Sequence, residues 1–205
     1  MWDQRYSEPD YAYGTEPNDF LRAMVARLPP GRLLSLGEGE GRNSVWLAGQ
    51  GFAVTAVDSS AVGLNKARRL AADRGVQIET CHADLAEFPI EPEAWDAVVS
   101  IFCHLPPALR RQVHRRVVQG LRPGGMLLLE AYTPRQLAFA TGGPPLAEMM
   151  MDLTGLRGEL AGLELAHAEE LEREVREGRY HTGRGAVVQL LGVKRRADRR
   201  SHGAD

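Results

Sequence analysis

Residues 33–42 read LLSLGEGEGR, an apolar run that passes into glycine at every second position. The apolar part, residues 33–37, predicts a buried strand ending in a turn, and residues 42–48 predict the helix that follows. Glycines at such a turn let a ligand approach main-chain atoms closely. The spacing differs from the G-x-G-x-x-G of dinucleotide folds, and the carboxylates of Glu38 and Glu40 would repel a pyrophosphate. The loop therefore favours a ligand with positive charge, such as an ammonium or a sulfonium.

Strands and helices alternate along the chain on both sides of this loop. Further strands are predicted at 52–57, 76–81, 97–102 and 126–131, with helices around 61–71 and 107–121 and a Met-rich helix near 146–160. Segments 163–175 and 186–193, joined by a turn-rich stretch, predict an antiparallel pair at the sheet edge. The fold class is α/β: a Rossmann-like, mostly parallel seven-stranded sheet with an antiparallel C-terminal strand pair and helices on both faces.

Length and composition indicate one globular domain. The 205 residues are 43% hydrophobic and 25% charged, with a net charge of −2. We expect a single domain over 1–193, with residues 1–30 as an N-terminal lid or helix and 194–205 as a basic, disordered tail. No apolar run reaches the ~18 residues of a membrane helix, no secretory signal is visible, and a cytoplasmic location is expected. Near-neutral charge argues against nucleic acid as a partner, and a monomer or homodimer is expected.

The cysteines and histidines show no metal-binding pattern. Cys81 and Cys103 fit neither a disulfide framework nor a zinc site and are predicted as buried thiols. We therefore predict no metal.

Two acidic residues follow later strands at the same predicted sheet edge. Asp58 ends the second strand, 21 residues after Gly37, where a carboxylate can accept both ribose hydroxyls. Asp84, followed by Leu85, ends the third strand and could accept from an adenine amine while the leucine covers the ring. On position alone, Asp58 could instead cap a helix, with Ser59 and Ser60 beside it, and Asp84 could be a turn residue.

Four motifs in this order resemble those of class I S-adenosylmethionine-dependent methyltransferases. They are the stretch 34–43, Val57-Asp58, Ala83-Asp84-Leu85 and 121–125, and the resemblance covers about residues 30–135. It implies S-adenosylmethionine as the cofactor. The implied cofactor-binding residues are Gly37, Glu38, Gly39, Gly41, Asn43, Asp58, Ser59, Asp84, Leu85, Ile101, Phe102 and Tyr6.

A narrower similarity connects the chain to small tellurite-resistance-type and thiol methyltransferases. It is carried by residues 2–6 and 13–18 at the front and by 181–183 and 187–189 at the back. Glu38 departs from this family, which more often has cysteine or another small residue there. The similarity places His181 on the acceptor side, and His104 follows the fourth strand; we predict both as candidate catalytic residues, because a histidine near neutral pKa is the usual base for a thiol or amine.

The predicted acceptor-binding residues are Tyr13, His104, Tyr132 and His181. The alternatives are a helix-capping or packing role for His104 and an exposed hairpin position for His181. The N-terminal aromatic residues predict either a lid over the pocket or a docked helix. The predicted reaction is methyl transfer to a small molecule, with a thiol or another chalcogen nucleophile as the first acceptor class. Transfer to nitrogen or oxygen of a metabolite, and a non-catalytic cofactor-binding sensor, stay open.

Overall fold

The computed structural model describes residues 2–196, which form one seven-stranded sheet. The strands are β1 (Arg32–Leu36), β2 (Ala53–Asp58), β3 (Glu79–His82), β4 (Trp95–Ile101), β5 (Leu121–Tyr132), β6 (Leu163–Glu177) and β7 (His181–Lys194). Their order is β3-β2-β1-β4-β5-β7-β6. The first five run parallel, β7 is antiparallel to β5, and β6 pairs antiparallel with β7 at the edge. The predicted fold class and the C-terminal strand pair are confirmed.

Six α-helices accompany the sheet within the described residues. They are α1 (Trp2–Arg5), α2 (Asp19–Met24), α3 (Arg42–Gly49), α4 (Ala61–Asp73), α5 (Pro107–Gly120) and α6 (Leu153–Glu159). No helix in this part of the chain is both long and apolar enough to cross a bilayer.

Two hydrophobic clusters sandwich the sheet, because successive residues of a strand point to opposite faces. Leu34 belongs to the cluster that packs α5 and α6, through residues such as Val113 and Leu156. Its neighbour Leu33 belongs to the opposite cluster, which packs α2 and α3 through Phe20 and Leu47. Burial on both faces explains why the central strands are mostly apolar rather than alternating between apolar and polar residues.

Several predicted elements differ from the structure. β5 begins at Leu121 rather than at residue 126, and β7 begins at His181 rather than at residue 186. β3 begins at Glu79 rather than at residue 76, because the Val76 amide still bonds to the carbonyl of Ala71 at the exit of α4 (3.0 Å). The predicted helix near 146–160 is confirmed only in its second half, as α6, and a short 3₁₀ turn at Ala147–Met149 replaces its first half. Between them the Met151 amide bonds to the carbonyl of Tyr132 (3.0 Å), which holds this stretch against the end of β5.

The predicted disordered tail falls mostly outside the described part of the chain. Lys194 is the last residue of β7, and residues 197–205 lie beyond the described range.

Candidate functional site

A cavity of about 790 Å³ opens where β1, β2 and β4 reach their carboxyl ends. This is the sheet edge at which open α/β folds bind ligands, and the volume lies within the ~300–1,000 Å³ of small-molecule sites. The N-terminal segment, the loop 140–145 and the hairpin residues 179–182 complete the wall. The predicted residues that line the cavity are Tyr6, Tyr13, Gly37, Glu38, Asn43, Asp58, Ser59, Asp84, Leu85, Ile101, Phe102, His104 and His181. Gly39, Gly41 and Tyr132, also predicted for the site, are not among the residues that line the cavity.

The glycine loop between β1 and α3 is forced by close packing as much as by access to a ligand. Gly37 has φ 60°, and a Cβ there would lie 2.7 Å from the sulfur of Cys103. Gly41 has φ 93°, and a Cβ there would lie 2.7 Å from the Cα of Ala67 on α4. Both positions therefore need glycine, since any side chain would be strained and would collide with its neighbour.

The two glutamates of the loop are occupied by the protein itself. Glu38 accepts hydrogen bonds from the Ser35 hydroxyl and from the Ser44 amide (2.9 Å), so it caps the start of α3. Burial raises its pKa. Glu40 pairs with Lys66 (2.7 Å) and accepts from a main-chain amide, that of Ala12 (2.7 Å). The inference that these carboxylates offer free negative charge to a cationic ligand is therefore corrected: both serve to fix the loop.

Asp58 organises the same loop from the end of β2. Its carboxylate accepts from the Gly39 amide (2.8 Å) and from the Ser60 amide (2.8 Å), and burial raises its pKa. Ser60 caps α4 by accepting from the Gly63 amide (3.0 Å), as the sequence predicted for this serine pair. Each carboxylate oxygen has a second lone pair. Asp58 can thus hold the loop and still accept from a ligand hydroxyl.

The ends of β3 and β4 supply the remaining predicted contacts to a nucleoside. Asp84 closes a turn by accepting from the Ala86 amide (2.8 Å), and Leu85 beside it is buried. Phe102 has φ 51°, an unusual value for a large side chain, and its ring packs 4.5 Å from that of Tyr132. Cys103 and Cys81 are half-buried rather than buried. Burial of the thiol raises the pKa of Cys103 to about 12, so it is a neutral thiol at pH 7.

The N-terminal segment docks on α4 and also covers the cavity. Asp3 accepts from the Ser60 hydroxyl (2.5 Å), which ties α1 to the start of α4. Trp2, Tyr6 and Tyr13 line the cavity, and the Tyr6 ring stacks on Trp2 at 5.8 Å. The two alternatives drawn from the sequence, a docked helix and a cover over the pocket, are thus combined in one segment.

His104 uses both ring nitrogens to hold the main chain. Nδ1 lies 3.0 Å from the Phe102 carbonyl, and Nε2 accepts from the Tyr132 amide (3.0 Å). Burial lowers the pKa of His104 to about 4. The ring lines the cavity, but it has no free lone pair, so this geometry argues against His104 as a general base and supports the packing alternative.

His181 is the first residue of β7 and is only 9% exposed, so the alternative of an exposed hairpin position is wrong. Its ring packs against Tyr13 (4.6 Å), Phe102 (4.9 Å) and Tyr132 (5.3 Å). Burial, with the charge of Arg42 next, lowers the pKa of His181 to about 3. Its Nδ1 is buried and has no hydrogen-bond partner. His181 is therefore a neutral imidazole with unused hydrogen-bonding capacity at the cavity wall.

A buried ionic network behind this wall was missed by sequence reasoning. Glu177, the last residue of β6, binds Arg42 (2.5 Å), Asn18 (2.8 Å) and Arg173 (3.0 Å). Arg173 also binds Glu130 of β5, whose side chain is fully buried. The network connects α2, α3, β5 and the β6–β7 hairpin, and so fixes the position of Arg42 and His181 relative to the glycine loop. The one sequence signal was a glutamate inside the apolar run of β5.

A metal centre finds no support in this arrangement. Within residues 2–196 no group of three or more His, Cys, Asp or Glu side chains is placed to hold a metal ion.

Comparison with known proteins shows what the part of the chain that forms this cavity resembles. A family described as "Methyltransferase domain" matches residues 33–125. The demethylmenaquinone methyltransferase of Clavibacter sepedonicus is 35% identical over 117 residues, which cover 54% of this chain and 45% of that protein. The chain spans about half the length of the curated relatives it matches, 45% and 58%.

Solved structures share the fold at low sequence identity. A structure titled for the conversion of a disulfide bond into a thioacetal group during echinomycin biosynthesis has a TM-score of 0.75 at 19% identity, covering 94% of this chain and 88% of that one. TehB from Haemophilus influenzae has a TM-score of 0.70 at 19% identity, covering 95% and 66%. A SAM-dependent methyltransferase from Methanosarcina mazei has a TM-score of 0.70 at 18% identity, covering 85% and 98%.

The cavity fits the cofactor that these proteins imply. It combines an open glycine loop, a carboxylate at the end of β2 with spare lone pairs, and enough volume for a nucleoside with an amino-acid arm. The chain therefore has a Rossmann-like methyltransferase fold, and its residues 33–125 match a methyltransferase domain, a match that implies S-adenosylmethionine as the cofactor.

Proposed function

We propose that the protein is an S-adenosylmethionine-dependent methyltransferase that methylates a small-molecule thiol or another chalcogen nucleophile. The observation that carries the acceptor class is the neutral, buried His181 at the cavity wall. In the reaction a lone pair of the acceptor sulfur forms the new bond to the methyl carbon while the carbon–sulfonium bond breaks. The products are a methyl thioether and S-adenosylhomocysteine, and the thiol proton is released to solvent before attack.

A weak base at the acceptor site favours nucleophiles that ionise easily. With a pKa of about 3, His181 cannot hold a proton taken from an alcohol, whereas a thiol with a pKa of ~8.5 supplies some thiolate without any base. The nearby guanidinium of Arg42, which lowers the pKa of His181, would stabilise that thiolate. Oxygen acceptors are therefore the poorer fit to this wall.

The chain contributes mainly by positioning and by excluding water. The cofactor, when bound, supplies an activated methyl group on a sulfonium, so no metal is needed. Asp58 and the glycine loop would fix the nucleoside and the methionine part, and Phe102, His181 and Tyr13 would place the acceptor. Holding two reactants in line in this way can be worth about 7–11 kcal/mol. The aromatic cover of Trp2 and Tyr6 would keep water from the reacting sulfur atoms.

One solved neighbour agrees with this acceptor class, since it is described in connection with the conversion of a disulfide bond into a thioacetal group. It is 19% identical to this chain, so it supports the proposal without deciding the acceptor. We further propose a small-molecule partner rather than nucleic acid, because the chain carries a net charge of −2.

The direct test is product identification. The purified protein is incubated with S-adenosylmethionine carrying a deuterated methyl group and with matched thiol, amine and alcohol acceptors, and mass spectrometry identifies the labelled product. We expect label in thiols. Label only in amines or alcohols would refute the acceptor class, and tight binding of S-adenosylhomocysteine without turnover of any acceptor would favour a sensor.

A substitution at the cavity wall tests the role of His181. His181→Ala is expected to leave the affinity for S-adenosylhomocysteine nearly unchanged and to lower turnover, because the ring contacts the acceptor side only. His167→Ala is the matched control, since this half-buried histidine on β6 is absent from the cavity lining. If His181→Ala turns over the acceptor at the wild-type rate, His181 has only a packing role.

A further inference from the structure

Unsatisfied polar atoms are concentrated at one wall of the cavity. Among residues 2–196, five buried side-chain nitrogen or oxygen atoms have neither a hydrogen-bond partner nor a carboxylate within salt-bridge distance, and three of these belong to neighbouring side chains here: Arg42 Nη1, Tyr132 Oη and His181 Nδ1. Arg42 and His181 line the cavity; Tyr132 does not, but its hydroxyl lies beside Gly142, which does. Buried polar atoms are nearly always paired, so three orphans at one wall indicate a ligand that pairs with them.

The three side chains lie close together. The rings of Tyr132 and His181 are 5.3 Å apart. A Cβ at Gly142, in the loop that lines the cavity, would be 3.2 Å from Tyr132 Oη and 2.9 Å from His181 Cδ2, so both side chains meet at the same loop residue. The charge of Arg42 acts on both rings, lowering the pKa that burial has raised for Tyr132 and adding to the effect of burial on His181.

Positive charge exceeds negative charge on this side of the cavity. Arg42 donates a hydrogen bond from Nη2 to Glu177. In this network the charges of Arg42 and Arg173 balance those of Glu130 and Glu177. Arg5 and Arg179 add two more positive charges; both lie over the Tyr180 ring, at 4.1 and 5.6 Å, and within residues 2–196 neither forms a salt bridge. Every acidic residue of the lining comes from positions 38–84, and the lining residues from 85 to 182 include none.

We propose, on the basis of the proposed function, that the acceptor carries a carboxylate, which accepts hydrogen bonds from Arg42 Nη1 and Tyr132 Oη beside His181. Arg5 and Arg179 at the same cavity would attract this anion. A carboxylate satisfies a guanidinium and a phenol at once, which a neutral thiol cannot do. The site at the ends of β5 and β7 would thus select mercapto acids over neutral or cationic thiols.

The test compares carboxylate probes with their neutral amides. Protein saturated with S-adenosylhomocysteine is titrated by calorimetry with 2-mercaptobenzoate and 2-mercaptobenzamide, and with 3-mercaptopropionate and 3-mercaptopropanamide. We expect at least one carboxylate to bind about tenfold or more tightly than its amide.

Two substitutions separate recognition from folding. Arg42→Lys retains a cation for Glu177 but removes the free nitrogen, and Tyr132→Phe removes only a hydroxyl that has no partner in the fold. Both are expected to lose most of the preference for the carboxylate while the affinity for S-adenosylhomocysteine changes less than about twofold. Arg111→Lys, on the exposed side of α5, is the control and should behave as wild type.

S-adenosylhomocysteine also carries a carboxylate, and the same titrations show whether Arg42 binds that carboxylate or the one on the acceptor. If Arg42→Lys strongly lowers the affinity for S-adenosylhomocysteine and leaves the preference for carboxylate probes intact, the guanidinium binds the cofactor and the inference is overturned. Equal binding of acids and amides in both pairs overturns it as well. Failure of S-adenosylhomocysteine to bind the wild-type protein would instead refute the proposed function, and the inference with it.

Discussion

His104 should make the fold sensitive to mild acid, and His104→Gln should remove that part of the sensitivity. The neutral ring bridges the Phe102 carbonyl and the Tyr132 amide, at 3.0 Å each, and so ties the end of β4 to the end of β5. A protonated ring could not accept from the Tyr132 amide. A glutamine can donate and accept at similar positions without titrating.

The sign and size follow from the pKa of the ring in the two states. The folded-state pKa of about 4 lies below the ordinary value of 6.5, so between these pH values the unfolded chain binds a proton that the folded chain does not. Stability is therefore complete above pH 6.5, falls as the pH decreases toward 4, and loses nothing more to this group below it. The full shift corresponds to about 3 kcal/mol, and because the half-buried ring keeps some contact with water we expect about 2 kcal/mol.

The assay is urea unfolding of both proteins at several values between about pH 7.5 and pH 4.5, under the linear extrapolation that two-state unfolding permits. The free energy of unfolding should fall by about 2 kcal/mol less in His104→Gln than in wild type over this range. His82→Gln, whose ring stands at the surface and bonds to the Ser59 carbonyl, is the control and should follow wild type. Parallel curves for His104→Gln and wild type would refute the assignment of the neutral bridging ring.

Two further substitutions test the glycine loop and its carboxylate. Asp58→Ala should weaken the binding of S-adenosylhomocysteine by about 1–3 kcal/mol in calorimetry, because a charged hydrogen bond is lost and the Gly39 amide is no longer held. Unchanged affinity would contradict the assignment of Asp58 to the ribose. Gly41→Ala should cost about 2 kcal/mol more in urea unfolding than Gly51→Ala, because both glycines have φ above 90° but only at Gly41 would the added Cβ meet a neighbour, Ala67 at 2.6 Å. Equal costs would show that backbone strain alone explains the requirement for glycine at 41.

The sheet and the sheet-edge turns were predictable from local patterns. Apolar runs such as 33–36 are buried on both faces, so each strand is visible in the sequence without knowledge of its neighbours. Asp58 and the glycine loop were found because each stands at the end of such a run. The helix predicted over the Met-rich stretch was only partly correct, because a local pattern does not reveal contacts between distant segments. The Met151 amide bonds to the Tyr132 carbonyl at the end of β5, and this bond keeps the stretch extended.

The properties of the cavity wall around His181 could not be predicted from the sequence, because they arise from contacts between segments that are distant in sequence. In sequence, His181 is a histidine in a turn-rich stretch; in the fold it is buried by Tyr13 and Phe102, from two other segments. Nothing local indicates that Arg42 shares its guanidinium with Glu177, 135 positions away. Sequence patterns therefore predicted many of the residues that line the cavity, but not the burial of His181 or the pairing of Arg42.

The ionic network gives this division a physical basis. The proposed cofactor side, the glycine loop and Asp58, consists of turns that directly follow parallel strands, so the sheet fixes its geometry. The acceptor side consists of a hairpin and a loop, which the sheet alone would leave free to vary. Glu130, fully buried on β5, binds Asn18, Gln189 and Arg173, and Arg173 in turn binds Glu177 at the hairpin end. Removing one partner of such a buried set leaves an uncompensated charge, at a cost of about 3–5 kcal/mol, so the hairpin is held in one position. A neutral His181 and a guanidinium with one free nitrogen can then persist at the cavity wall without a partner, because the network rather than the ligand keeps them there.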